Sequence, residues 1–295
     1  MKKEFIIPIV AGVIAVAMLY AFNGRSHNDD DYDGIELCED SIVDEGTAAG
    51  TGGTRQNTRP SAMPDSVGDI YLPSPLSGVS ESIIYRKAYV VSYNKDTRNP
   101  NWVAWHLTAE HADGPCGRSD DFYEDDEVEA PRATLADYRQ SGWSRGHMCP
   151  AGDNKWDEEA MHESFSLVNI CPQDTRLNSG LWNSIEMNCR TWARRYGDIY
   201  IVCGPVYMNR DPALHEAAGG LGCPPVKAFF KVVLCLNGTP KAFGIVVRNN
   251  FGQRKRDLYY NSVDEVERVT GMDFFHTLPD DIENEVEATA NIEEW

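Results

Sequence analysis

The segment Ser141–Asp153 reads SGWSRGHMCPAGD, and its centre, Arg145-Gly146-His147, holds the residue types that phosphodiester chemistry calls for. Such a reaction needs a base to activate water, a cation against the charge gathering on phosphorus, and help for the departing oxygen. His147 suits the base, because an imidazole titrates at about 6.5. Arg145 can pair with phosphate or pin the local chain. Gly146 allows a tight bend or a close backbone approach. Against this stands a purely structural or surface role for a lone histidine. A second group lies downstream, where Asn178, Trp182, Glu186 and Arg190 follow one another at four-residue steps. On a helix they form one drifting stripe. The oxygens of Asn178 and Glu186 suit a hard cation such as Mg²⁺, which takes few protein ligands and keeps several waters. The plainer alternative is a helix cap at Asn178 and an ion pair between Glu186 and Arg190. A zinc site or thiol nucleophile built from His147, Cys149 and Cys171 fits no zinc-ligand spacing.

These groups need elements to hold them. The run Ser179–Tyr196 has Leu181, Ile185, Cys189 and Trp192 at helical spacing, with Gly197 to end it, and predicts one long helix. A shorter helix is expected over Trp156–Ser164. Lys87–Asn94 and Asn101–Thr108 read as an antiparallel hairpin. Asp198–Val206, Val226–Leu236 and Lys241–Arg248 read as three further strands, the last two joined by the turn Asn237-Gly238-Thr239-Pro240. Strands joined by hairpins with few helices between them predict an α+β domain around a mixed or antiparallel sheet flanked by helices.

The chain has 295 residues and a formal net charge of -19, which sits badly with a polyanionic partner. The charge is unevenly spread. Residues 26–50 carry nine acids, 119–129 seven and 273–295 eight, with no Lys or Arg in any of the three. Between Pro131 and Gly271 there are 17 basic and 15 acidic residues, so this part is close to neutral. The acidic runs are expected to be solvating segments. Residues 5–22 are an apolar run behind Lys2 and Lys3, which reads as a signal peptide or membrane anchor. The expected organisation is therefore a signal or anchor over 1–25, a flexible acidic and Gly/Ser/Pro-rich linker over 26–82, a folded domain over 83–272 and an acidic tail over 273–295. The expected location is outside the cytoplasm: periplasmic or cell-surface, anchored or secreted. Eight cysteines permit disulfides but show no CxxC pair, and no bridge is assigned.

Taken in order, RNPNWVAWHLT, RATLADYRQSGWSRGHMCPAGDNKW, EEAMHESFSLVNICPQDTRLNSGLWNSIE and YGDIYIVCGPVY resemble the DNA/RNA non-specific endonucleases, the endonuclease G-like ββα-metal nucleases. The likeness runs from about Tyr89 to about Tyr260. It implies a ββα-metal active-site motif and metal-dependent hydrolysis of DNA and RNA without strong sequence preference. It also implies Mg²⁺, with Mn²⁺ as the alternative. By resemblance His147 is the general base, Asn178 the direct metal ligand, and Glu186 the group that orients a metal-bound water. Asn169 would help fix the site, Arg118 would face the phosphate, and Arg145 and Arg190 would support phosphate or structure. Nucleic acid is the expected partner through its backbone, with a membrane through residues 5–22 and a homodimer as further expectations. In one position the chain departs from the pattern: the family signature is Asp-Arg-Gly-His, and here Ser144 stands in place of the Asp. That keeps open a second reading, a catalytically weakened nucleic-acid-binding module of the same fold.

Overall fold

The computed structural model describes residues 72–207, 226–250, 259–290 and 292–295. Its strands are β1 (Ser82–Tyr85), β2 (Val90–Asn94), β3 (Asn99–Thr108), β4 (Ser144–His147), β5 (Ile170–Gln173), β6 (Asp198–Val206), β7 (Ala228–Cys235), β8 (Lys241–Arg248) and β9 (Tyr260–Asn261). The helices are α1 (Ala109–Ala112), α2 (Leu135–Tyr138), α3 (Glu158–Ser164), α4 (Thr175–Leu177), α5 (Asn183–Tyr196), α6 (Val263–Thr270) and α7 (Asp280–Glu287). Seven strands form one antiparallel sheet in the order β1-β2-β3-β6-β7-β8-β9, and β4 and β5 pair separately.

The central strands are apolar on both sides because both faces of the sheet are covered. On β6, Ile199, Ile201 and Cys203 point to one face, where they join Ile185, Cys189, Trp192 and Ala193 of α5 and Met148, Cys149 and Cys171 from around β4 and β5. Tyr200 and Val202 point to the other, where Val263, Val266 and Val286 of α6 and α7 cover them. One helix and the β4–β5 pair therefore sit on the first face, and α6 and α7 sit on the second. The six described cysteines are free thiols, five of them buried.

Four expectations change. The long helix is broken at its start: Asn178–Trp182 form a π-helical turn with Gly180 off helical geometry, and regular helix begins at Asn183. It ends at Gly197 as expected, with φ at 96°. The segment 273–295 is not a free acidic tail. Phe274, Phe275, Leu278 and Val286 are buried on the second face, and Trp295 packs edge-on against Trp192 and Phe243 on the first. The acidic count hid a set of apolar residues strong enough to bind the segment down. Leu72 and Leu76, within the expected linker, also pack on the second face. Finally, the acidic loop 119–129 contains a buried structural carboxylate. Asp125 accepts from Arg86 Nη2 and Ser166 Oγ, both at 2.6 Å, and so fastens the loop to the body of the protein.

Candidate active site

β4 and β5 pair in antiparallel register, with Ser144 opposite Gln173, Arg145 opposite Pro172, Gly146 opposite Cys171 and His147 opposite Ile170. Gly146 is required by packing. A side chain there would run into Cβ of Gln173, at 2.6 Å. Beyond His147 the ladder is continued by a side chain. Asn169 is fully buried; its Oδ1 accepts from the Cys149 N–H at 2.9 Å, and its Nδ2 donates to the carbonyls of Cys149 and Ser164, both at 2.8 Å. Asn169 therefore fixes the chain that follows His147 and presents no atom to an open site.

His147 is 8 % exposed and lies between two aromatic rings, edge-to-face on Phe165 at 4.9 Å and tilted on Phe122 at 5.3 Å. Its Nε2 is buried without a hydrogen-bond partner among the described residues. Burial, then the charges of Arg118 and Arg145, push the imidazole down to about 3, so it is neutral at physiological pH. The two arginines lie over the same two rings: the Arg145 guanidinium is 4.0 Å from the centre of Phe122, and that of Arg118 is 6.0 Å from the centre of Phe165. Arg118 keeps two-thirds of its side chain in solvent, with Asp120 3.8 Å away. The result is a neutral imidazole with two guanidinium groups close to its flanking rings.

Arg118 also acts on Glu186, which ties the first group to a second. Burial raises the Glu186 carboxyl to about 7, against the opposing pull of Lys231. Asp153 is 2 % exposed, accepting from Arg190 Nη1 at 2.8 Å and from Trp105 Nε1 at 3.1 Å. Arg190 thus pairs with Asp153, not with Glu186 as its spacing suggested. Behind them Lys231 is wholly buried, with its ammonium 4.7 Å from the ring centre of Trp105 and 4.8 Å from that of Trp182. Burial opposes its charge, and the carboxylates of Glu186 and Asp153 favour it. Two cations and two carboxylates therefore share one patch, in which Asp153 and Lys231 are buried and Glu186 and Arg190 are half-buried.

Asn178 stands on the π-helical turn, half-buried, and its side chain makes no hydrogen bond to another described residue. The cap role proposed for it belongs to Asp174, whose Oδ1 accepts from the N–H groups of Arg176 and Leu177. Trp182, the next residue of the expected stripe, is core: it packs on Phe229 at 5.5 Å and leaves the exposed face. The extra residue of a π turn shifts the four-residue phase there. Ser144 Oγ meets Thr175 Oγ1 at 2.8 Å and links β4 to the start of α4. Asp153, Lys231 and Gln173 had no place in the reading of the sequence. For Lys231 a signal existed, a lone charge in the middle of the apolar strand AFFKVVLC.

A family model described as DNA/RNA non-specific endonuclease matches residues 66–281. The mitochondrial nuclease EXOG of Danio rerio is 46 % identical over 218 residues, covering 69 % of this chain and 63 % of its own. Mitochondrial endonuclease G of Bos taurus is 41 % identical over 140 residues, covering 47 % of this chain and 46 % of its own. The chain thus spans less than two thirds of either relative's length. Among solved structures, one described as the EndoG/EndoGI complex matches with a TM-score of 0.64 and 26 % identity, covering 74 % of this chain and 94 % of the other. The names of these relatives overturn the expected export, since they are mitochondrial nucleases. Residues 5–22, on which export and a membrane partner rested, lie outside the described residues. Among those described, no helix is long and apolar enough to cross a membrane. The chain belongs to the family of DNA/RNA non-specific endonucleases.

Proposed function

We propose that this chain is an endonuclease that hydrolyses phosphodiester bonds in DNA and RNA without strong sequence preference, with His147 as its general base and one Mg²⁺ as cofactor. The observation that carries the proposal is the neutral, buried His147 with an unpartnered nitrogen beneath Arg118 and Arg145. The donor set fits the ion. Asn178 offers an amide oxygen free of protein hydrogen bonds among the described residues, and Glu186 a carboxyl not held by an ion pair; both are hard ligands. Asn178 would hold Mg²⁺ (or Mn²⁺) directly, and Glu186 would orient a water of its shell. The ion would supply polarisation of the scissile phosphate and stabilisation of the departing 3′ oxygen.

The protein's own residues account for the rest. A neutral imidazole is in the form that can accept the proton of the attacking water, and a bound phosphate that offsets the charges of Arg118 and Arg145 would raise its basicity from the depressed value. Phe122 and Phe165 keep bulk water off the ring. Arg118, two-thirds exposed, would meet the charge gathered on the phosphorane. Arg190 holds Asp153 in place from behind, and the charge of Lys231 acts on both Asp153 and Glu186. Recognition through phosphates alone explains weak sequence preference, and binding should then fall steeply with salt.

The test is digestion of circular DNA, linear DNA and RNA with Mg²⁺ and with EDTA. We expect internal cleavage of all three, lost in EDTA, leaving 5′-phosphate and 3′-hydroxyl ends. A second reading, a binding module with little catalysis, rests on Ser144. It would be supported by tight, salt-sensitive retention of DNA with no Mg²⁺-dependent nicking.

A further inference from the structure

On the second face of the sheet, away from His147, α6 and α7 bring carboxylates together. Asp264 and Glu267 are three residues apart on α6 and so share one side of it. Glu287 closes α7. One oxygen from each of the three lies within 4.8 Å of the other two. Asp264 is exposed, Glu267 half-buried, and Glu287 only 6 % exposed. Glu267 accepts from the Phe274 N–H at 2.7 Å through Oε1, which leaves its second oxygen.

Glu287 is the anomaly. Its Oε1 is shut off from solvent and accepts no hydrogen bond from the described residues. The charges that act on it most strongly, from Glu267, Glu283, Asp264 and Asp273, are all negative, and with burial they raise its carboxyl to about 8. It also sits at the C-terminal end of α7, with no basic residue in the last turn to offset the negative end of the helix. Arg268, the base of α6, is held by Glu265 at 2.7 Å. A buried carboxylate oxygen needs a partner. The neighbouring charges supply none.

We propose that Asp264, Glu267 and Glu287 form a second divalent-cation site, distinct from the catalytic one, that fastens α6 to α7. Ca²⁺ fits best. It accepts six to eight oxygens in irregular arrangement, whereas Mg²⁺ demands a near-ideal octahedron. Carboxylates from two helices make an irregular oxygen set, and the open side at Asp264 leaves room for waters. With no histidine or cysteine in the cluster, zinc has no preferred ligand.

The site is tested by thermal unfolding of the full chain in EDTA, CaCl2 and MgCl2. At a hundredfold excess over Kd, Ca²⁺ should raise the Tm of the wild type by roughly 5–10 °C, and Mg²⁺ should raise it less. Glu287→Gln should remove most of the Ca²⁺ rise. Asp264→Asn, an exposed change that leaves packing intact, should weaken it and carries the test alone if Glu287→Gln does not fold. Asn178→Ala, on the other face, should keep it. Calorimetric titration with CaCl2 should lose one binding event in Glu287→Gln. No Ca²⁺ response in the wild type, or an equal one in both carboxylate variants, overturns the site.

Discussion

Under α5, Asp153 is shut from solvent with Arg190 on one oxygen, Trp105 on the other and Lys231 close behind; under α6 and α7, Glu287 is shut from solvent among four other carboxylates. Both faces of one sheet bury acid. The first sets its own cations, placed by α5 and β7, beside its buried Asp153. The second has no base among the charges acting most strongly on Glu287, and is complete only with a proton or a cation from outside. A face that must keep its geometry for a reaction benefits from internal balance. A face balanced from solution is sensitive to what the solution contains.

The comparison breaks first at His147. His147→Ala should leave folding largely intact and lower cleavage by about 10²–10⁴-fold, the usual loss for a general base. Near-normal nicking by a folded His147→Ala protein would end the role given to it. Next in size is Lys231→Met. Methionine fills the slot between Trp105 and Trp182, and replacing a whole buried ion cluster by apolar groups can be neutral. Here Asp153 and Glu186 remain, so removing the ammonium leaves buried acid unbalanced. We expect a loss of about 3–5 kcal/mol, or roughly 10 °C in Tm. A melting point unchanged by Lys231→Met would mean that this face is no better balanced than the other.

Much of the first face could be read in the sequence, and the reasons are local. The ends of β6 and β8 fall where turn residues stand, and α5 ends at Gly197 because only a glycine readily takes φ of 96°. His147, Arg118, Arg145, Glu186 and Arg190 do share a neighbourhood, but the sequence mispaired them. Four-residue spacing joined Glu186 to Arg190, whereas the fold delivers Asp153 from 37 residues upstream. The π turn at Asn178–Trp182 was invisible, since its cause is the burial of Trp182 against a strand that helical periodicity does not see. The second face was misread more deeply. Charge counting marked 273–295 as a tail, though Phe274, Phe275 and Leu278 had the size to anchor it there.

The faces should also titrate in opposite directions. His147 has its folded value depressed to about 3 from an unfolded 6.5. Between those values the unfolded chain binds the extra proton, so stability is full above pH 6.5 and falls as the medium is acidified. Glu287 has its folded value raised to about 8 from 4.5. In EDTA the folded chain holds that extra proton, so stability is full below pH 4.5 and falls as pH rises through 8. Each group can contribute at most about 1.4 kcal/mol per pH unit across its window. Denaturant midpoints measured from pH 4 to 9 should show a shallower acid limb in His147→Gln and a shallower alkaline limb in Glu287→Gln. An effect of both variants on the same limb would remove the contrast between the faces.

The smallest effect is expected at Ser144, where the chain departs from its family. Its hydroxyl bridges to Thr175 at an exposed edge, 2.8 Å away, and no charged partner is involved. An exposed neutral hydrogen bond adds about 0.5–1.5 kcal/mol at most. Ser144→Ala should therefore change stability by no more than that and leave cleavage within a few-fold of wild type, because β4 is already fixed by its ladder to β5 and by Asn169 beyond it. Ser144→Asp adds a carboxylate next to Arg145 and the start of α4, and any gain in Mg²⁺-dependent rate would measure what the missing charge costs. Should Ser144→Ala silence the protein as thoroughly as His147→Ala, the hydroxyl would have a part in the chemistry, and the internal balance ascribed to this face would be one group short.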